Sequence, residues 1–326
     1  MSLRVFDRSR KLIQRAAAAR NPSSNMAEYL RDEVSRRAIE RLAFLKTPLE
    51  NMLDFGSNSG NFAKLLADPS KDDNEQWKID RLQVKNKISH IDMLDSSEAM
   101  LYKNAELPFN KELSISRIVQ DEETFEADKK YDLIVSNLSM HWINDLPNVY
   151  SKLFKALKPD GCFMGVMFGG DTLFELRTSL QLAEIERYGG LAPRVSPFVG
   201  SADVGNLMQK AGFQMLTVDV QELVVEYPNI LALMEDLQMM GENNSLVTPP
   251  PSLTKDLLIA AEPIYRELHG DKATGHLPAT FRLVNMIGWR PGKYLAKPAP
   301  RGSGDVSLKD ALDGTITMTS TLKEDK

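Results

Sequence analysis

Apolar residues recur along the chain in two alternating rhythms. Leu30, Val34, Ala38, Leu42 and Leu45 fall three or four positions apart, the spacing of an amphipathic helix over 26–45 that stops near Pro48. A short apolar run, Met52 and Leu53, then reaches Asp54 and a tight turn with Gly56 and Gly60, before helical spacing resumes at Phe62, Leu65 and Leu66. Strand-like runs follow over 88–94, 114–119, 131–137 and 162–168, separated by helical stretches around 99–101 and 146–157; the charged segment 68–76 reads as a surface loop. Strands alternating with helices predict an α/β fold, a doubly wound, mostly parallel sheet covered on both faces with its ligand at the carboxyl ends of the strands. Beyond Phe168 the rhythm changes: helices over 172–187 and 202–211, a strand opening at Gly212 and Phe213 and running through Val225, helices over 230–240 and 253–269, and a last strand over 279–288. These late strands bring the expected total to a seven-stranded sheet, with an antiparallel edge strand. The expected organisation is an N-terminal helical segment (1–48), a domain over 49–295 with helical insertions at about 170–211 and 229–270, and a C-terminal tail (296–326) rich in Pro, Gly, Ser, Thr and charge.

Composition narrows this picture. At 326 residues, 42% hydrophobic and 26% charged, the chain can bury a sizeable core, and a net charge of −5 argues against a general nucleic-acid binder. No stretch approaches the roughly 20 apolar residues that span a bilayer. The single cysteine, Cys162, excludes an internal disulfide framework and sits in an apolar run that predicts a buried, inert thiol. The N-terminus is locally basic, with Arg4, Arg8, Arg10, Lys11, Arg15 and Arg20 against Asp7, and four alanines at 16–19. Two readings stand: an organelle targeting peptide, or a basic helix of the folded protein with Val5, Ile13 and nearby alanines as its apolar part.

Acidic residues fall at the ends of successive strands: Asp54, then Asp95, then the cluster Asp121, Glu122 and Glu123. An acid after the second strand is placed to bind ribose hydroxyls, and Asp95, followed by the helix-capping Ser96 and Ser97, stands at the strand end whereas Asp92 lies inside the run. The cluster at 121–123 either contacts an adenine or is a solvated loop. A glycine turn preceded by an acid suits a cationic ligand better than a diphosphate. No P-loop Lys-Ser/Thr follows it, and the motif is not G-x-G-x-x-G, which favours S-adenosylmethionine over a nicotinamide dinucleotide or nucleoside triphosphate. The expected cofactor site comprises Asp54, Gly56, Ser57, Asn58, Gly60, Asp95, Ser96, Asp121, Glu122, Asn137 and Leu138, the last two ending the fourth strand. Four residues are candidates for chemistry. His141 could act as a base and Trp142 could pack on a guanidinium, or the pair could be a helix-start histidine and a core tryptophan. Asp171 and Glu175, four apart, could share a helix face that grips a substrate arginine, with Arg177 as a structural partner instead. The four histidines are scattered and only His90-Ile91-Asp92 spells a ligand pair, inside a strand, so no metal is expected.

These residues also carry a resemblance. Leu53-Asp54-Phe55-Gly56-Ser57-Asn58-Ser59-Gly60, Asp95-Ser96-Ser97-Glu98-Ala99-Met100, Tyr131-Asp132-Leu133-Ile134, Leu157-Lys158-Pro159-Asp160-Gly161 and Ala211-Gly212-Phe213 together resemble the class I S-adenosylmethionine-dependent methyltransferases. The stretch from Ser136 to Pro147 is similar to the biotin-pathway branch. Met167 to Arg177, Ser196-Pro197-Phe198, Met234 to Gln238, Met240-Gly241-Glu242 and Met286 to Trp289 resemble the complex I assembly factor 5 subfamily, over nearly the whole chain. That resemblance implies an arginine hydroxylase on a methyltransferase scaffold, using S-adenosylmethionine and acting on an iron–sulfur subunit of mitochondrial respiratory complex I. It further implies a small twin-cysteine-motif assembly partner, a place in the mitochondrial matrix and peripheral association with the inner membrane. A true methyltransferase acting on a carboxylate or protein side chain, and a non-catalytic assembly chaperone, are the alternatives. The match begins at Val5-Phe6-Asp7-Arg8, so residues 1–20 are expected to start the folded domain, a presequence lying upstream. One departure is Asn58, where the family turn carries glycine: asparagine tolerates positive φ, but its side chain is expected to crowd the methionine end of the ligand.

Overall fold

The structure, a computed structural model, describes residues 4–67 and 74–293. Two N-terminal helices, α1 (Arg8–Arg20) and α2 (Tyr29–Ala43), precede the sheet. The first half then alternates β1 (Asn51–Phe55), α3 (Asn61–Ala67), α4 (Glu75–Lys87), β2 (His90–Asp95), two short helices α5 (Glu98–Leu101) and α6 (Phe109–Glu112), β3 (Ile115–Val119), β4 (Tyr131–Asn137), α7 (Leu146–Ala156) and β5 (Leu157–Phe168). The second half adds α8 (Phe174–Tyr188), α9 (Ser201–Ala211), β6 (Gln214–Tyr227), α10 (Ile230–Met240), α11 (Lys255–His269) and β7 (Leu277–Trp289).

The seven strands form one sheet in the order β3-β2-β1-β4-β5-β7-β6. The first five pair in parallel, and β7 runs antiparallel to both β5 and β6. The expected doubly wound, mostly parallel sheet is therefore present. The antiparallel strand is not the edge itself; it is inserted between β5 and β6. The order in which successive strands are added reverses between β1 and β4, which leaves a crevice at their carboxyl ends.

Alternation along β1 sets the two layers. Met52 packs with Ala38, Leu42, Phe62, Leu66 and Trp77 on the α2–α3–α4 side, while Leu53 and Phe55 pack with Val149, Tyr150, Leu153, Val204 and Met208 on the α7–α9 side. A third cluster gathers α8, α10 and α11 against Phe168, Ala279, Phe281 and Leu283. Burying leucine- and phenylalanine-sized side chains at about 1.5–3 kcal/mol each makes these layers the main stabilising term.

Three expectations change. The charged loop expected over 68–76 gives way by Glu75 to α4, which Asn74 caps by accepting from the Trp77 amide at 2.7 Å; residues 68–73 lie outside the described residues. Residues 8–20 are an ordered helix, but its inward face is not the expected one: Ile13 is 69% exposed, whereas Lys11, Arg15 and Ala18 are buried. The tail expected at 296–326 lies outside the described residues.

Candidate cofactor cleft and the basic helix across it

At the end of β1 the chain turns through Gly56 (φ +71°), Asn58 (φ +53°) and Gly60 (φ +84°). A Cβ at Gly56 would stand 2.1 Å from Ser139 Oγ, so glycine is required there by contact as well as by φ. Asn58 adopts the positive φ expected of asparagine and turns its side chain into the cleft. Its Nδ2 donates to the Gly56 and Asn137 carbonyls at 3.0 and 3.3 Å, and its Oδ1 accepts from Arg15 at 2.6 Å.

The expected cofactor residues converge here. Asp95, at the end of β2, is fully buried and accepts from the Ser97 amide at 2.8 Å and the Asn58 amide at 3.0 Å. Ser96 Oγ donates to the buried Glu122 at 3.4 Å, while Asp121 is half-exposed beside it. Asn137 ends β4, and Leu138 follows in a left-handed conformation (φ +49°) with its amide donating to the Val166 carbonyl. Asp54 is buried, and its Oδ2, with Ser57 Oγ, Ser136 Oγ, Asn137 Oδ1 and Ser139 Oγ, lacks a hydrogen-bond partner among the described residues. Burial, with the Asp95 charge beside it, pushes the Asp54 carboxyl up to about 8.

What the sequence did not disclose is the helix laid across this crevice. Asp7 caps α1 by accepting from the Arg10 amide at 3.0 Å, and the preceding segment is tied down by Asn144 Oδ1, which accepts from the Val5 and Phe6 amides at 2.8 Å each. Arg8, Lys11 and Arg15 then share one helix face. Arg15 Nη2 donates to Asp95 Oδ2 at 2.5 Å as well as to Asn58, with Glu122 Oε1 3.7 Å from its Nη1. Arg8 bridges Asp121, at 2.8 Å, and Glu122. Burial opposes both guanidinium charges, but the facing carboxylates outweigh it and raise their pKa values; burial with Glu122 raises Asp95 against the pull of Arg15. The space left around the turn, lined by Arg31, Ser35, Asp54, Asn58 and Asn137, is about 10 Å³, room for about one water. The residue types fit S-adenosylmethionine; the space left does not hold it, and Arg15 occupies two of the groups it would meet, Asp95 and Asn58.

Lys11 reaches a second seat. Its Nζ stands 3.4 Å from the centroid of the Trp142 ring and donates to the Gly241 and Asn243 carbonyls at 3.1 and 2.6 Å. Burial pulls its pKa down to about 7. Beside it lies the buried carboxylate of Glu242, which accepts from Trp142 Nε1 at 2.7 Å and Arg31 Nη2 at 3.0 Å, and lies 3.1 Å from His141 Nε2. Burial opposes the Glu242 charge, yet His141, Arg31 and Lys11 hold the carboxyl well below its usual range. Burial lowers the pKa of His141 against the pull of Glu242; because the Glu242 carboxylate can only accept, Nε2 carries the proton of their hydrogen bond, and Nδ1 has no partner among the described residues. His141 and Trp142 are thus both buried, as a core reading requires, and joined to a charged group, as a functional one does.

Asp171 and Glu175 do not join them. Leu173 precedes α8 in a left-handed conformation, so Asp171 lies outside the helix that holds Glu175. Asp171 pairs with Arg282 at the surface, and the buried Glu175 accepts from the Thr280 hydroxyl and amide on β7. Arg177 donates to the Gly170 and Thr172 carbonyls, not to Glu175. His90 and Asp92 share a face, as alternation required, and bond to each other at 3.0 Å; Asp92 also accepts from Tyr131. Among the described residues no grouping of three or more His, Cys, Asp or Glu could hold a metal ion. No helix among them is long and apolar enough to cross a membrane. Arg8, Lys11, Arg15, Arg31 and Glu242 went unread as site residues. The only local signals were basic residues at 8, 11 and 15, three and four apart, and an acid directly after the glycine that ends α10.

Comparison with known proteins agrees with the fold. A methyltransferase-domain family model matches residues 9–218. The chain is 41% identical to "Arginine-hydroxylase NDUFAF5, mitochondrial" of Danio rerio, over 94% of this chain and 89% of that protein, and 40% identical to the Homo sapiens protein of the same name, over 94% and 83%. A malonyl-[acyl-carrier protein] O-methyltransferase of Methylovorus sp. is 27% identical over 89% of this chain and 91% of its own. In fold, the YcgJ protein from Bacillus subtilis superposes with a TM-score of 0.50 at 12% identity, over 79% of this chain and 99% of that one. The chain belongs to the NDUFAF5 arginine-hydroxylase family, built on a class I methyltransferase domain.

Proposed function

We propose that the chain binds S-adenosylmethionine at the carboxyl ends of β1, β2 and β4 and hydroxylates an arginine of an iron–sulfur subunit of respiratory complex I. The observation that carries this reading is the set of buried polar atoms without protein partners at one turn: Asp54 Oδ2, Ser57 Oγ, Asn137 Oδ1 and Ser139 Oγ. Buried polar atoms are ordinarily hydrogen-bonded, so such a cluster beside a glycine turn speaks for a ligand with polar groups of its own. Asp95 would hold the ribose hydroxyls, Glu122 and Asp121 would border the adenine, and Asp54 and Asn137 the methionine end. Bound there, S-adenosylmethionine supplies a sulfonium-activated methyl group in methyltransferases of this fold. Arg15 and Arg8 must release the shared carboxylates for the ligand to enter. His141, whose Nδ1 has no partner among the described residues, is the candidate proton acceptor.

The names of the curated relatives support arginine hydroxylation and a mitochondrial setting. The matrix side of the inner membrane, peripheral attachment to it and a small twin-cysteine-motif partner complete the reading. The likeness to the malonyl-carrier-protein methyltransferase favours methyl transfer as the second reading. Incubating the chain with methyl-labelled S-adenosylmethionine and the iron–sulfur subunit separates the two. A gain of one oxygen on an arginine, found by peptide mass spectrometry in cells carrying the gene and lost on its deletion, is the expected result. Label appearing on the subunit would sink hydroxylation.

A further inference from the structure

The seat that Lys11 fills has the chemistry of a guanidinium site. Its floor is the Trp142 ring, its rim the Gly241 and Asn243 carbonyls, and beside it stands the Glu242 carboxylate, about 8% exposed and ionised. Trp142 is itself fixed, by its bond to Glu242 and by the edge of Phe6, 5.2 Å between ring centroids. The seat adjoins both α1 and a cavity. α1 delivers Lys11 to it, and a cavity of about 390 Å³ shares Trp142, Glu242 and Asn243 with it and is walled also by Leu176, Phe198 and Leu237. Cavities of this size take a side chain with an aliphatic stem.

Lysine is a poor occupant. Its ammonium is strongly hydrated, and burial here pulls its pKa down to about 7, so the seat disfavours its charged form. A guanidinium is planar, weakly hydrated and permanently charged. It stacks on an indole while its N–H groups reach carbonyls and a carboxylate at once.

We propose that the seat formed by Trp142, Glu242 and the Gly241 and Asn243 carbonyls receives the arginine side chain of the protein substrate, which enters through the apolar cavity and displaces Lys11. This rests on the reading of the chain as an arginine hydroxylase. Trp142 and Glu242 are then substrate-binding residues, and His141, bonded to the same Glu242 oxygen, stands next to the bound side chain.

The test uses the full chain and a synthetic peptide with one arginine flanked by apolar residues, with a citrulline version as control, binding being read by calorimetry. Lys11→Ala is expected to bind the arginine peptide roughly tenfold more tightly than the wild type, because the competing cation is gone. Trp142→Phe, which keeps a ring with a weaker cation attraction, and Glu242→Gln are expected to weaken it, and circular dichroism checks that each is folded. Equal binding of the citrulline peptide, no gain in Lys11→Ala, or no binding to either protein overturns the proposal. Turnover keeps the two ideas apart: arginine-specific binding without hydroxylation leaves the seat standing and removes the hydroxylase reading. Hydroxylation with unchanged KM in Trp142→Phe and Glu242→Gln does the reverse.

Discussion

Replacing Arg15 by methionine tests whether α1 competes with the cofactor. Methionine keeps the apolar stem of Arg15 packed and removes only the guanidinium. That guanidinium makes two buried hydrogen bonds, to Asp95 at 2.5 Å and to Asn58 at 2.6 Å, with both side chains of the ion pair less than a tenth exposed. A hydrogen bond to a charged group contributes about 1.5–3 kcal/mol net. A ribose arriving at Asp95 replaces that bond for the carboxylate but not for the guanidinium. The wild type therefore forfeits at least one such bond on binding, and Arg15→Met does not. Converted at 1.4 kcal/mol per decade, S-adenosylhomocysteine and S-adenosylmethionine should bind the variant about 10- to 100-fold more tightly by isothermal calorimetry. The ligand-free variant pays for this in stability, by about 3–5 kcal/mol for a buried carboxylate that has lost its partner, and its thermal midpoint falls. Weaker binding in a folded Arg15→Met would refute the reasoning, because Arg15 would then contact the ligand instead of opposing it.

Three further outcomes follow from the structure. With its carboxyl near 8, Asp54 is protonated in the folded chain where the unfolded chain, near 4, is ionised; folding takes up a proton, so stability is lost as pH rises from about 4 to 8. Asp54→Asn should flatten the decline in thermal midpoint between pH 6 and 9, and a decline as steep as the wild type's contradicts the assignment. Gly56→Ala puts a Cβ 2.1 Å from Ser139 Oγ at positive φ, and should cost about 2–5 kcal/mol in chemical denaturation; a cost under about 1 kcal/mol would mean the turn yields freely. Burial raises the pKa of Cys162, whose side chain is almost inaccessible, so maleimide should label it only after unfolding, and fast labelling of the native chain would show otherwise.

The fold was legible because its signals are local. The strand at 131–137 and the helix at 230–240 were read with the boundaries they have, since hydrophobic periodicity and flanking turn residues define both. α4 was missed because it buries little besides Trp77, Arg81 and Val84, so its pattern looks like a charged loop. The glycine turn and the strand-end acids were legible for the same local reason. The inward face of α1 was not. Periodicity assigns Ile13 to the core, but Lys11 and Arg15 are buried because carboxylates from positions 95, 122 and 242 meet in space, and no window of sequence contains that meeting. Glu242 was hidden likewise: its partners His141 and Trp142 lie about a hundred residues earlier.

A single helix closing both seats has a thermodynamic consequence. Arg8 and Arg15 hold the acids of the cofactor cleft, while Lys11, one turn from each, holds the Trp142 seat. A ligand that expels Arg15 and a cation that expels Lys11 act on the same rigid element, so whichever arrives first meets most of the cost of moving α1 and the second meets less. The sites are then positively coupled, and the coupling is reciprocal: the factor by which an arginine peptide tightens S-adenosylhomocysteine must equal the factor by which S-adenosylhomocysteine tightens the peptide. Couplings of this kind are typically about 5- to 150-fold. Calorimetric titration of each ligand with and without saturating amounts of the other measures both factors. Arg15→Met and Lys11→Ala should each shrink them, since each variant removes part of what the helix must release. Unchanged affinity in both directions would mean that Arg15 and Lys11 swing aside one at a time with α1 left in place.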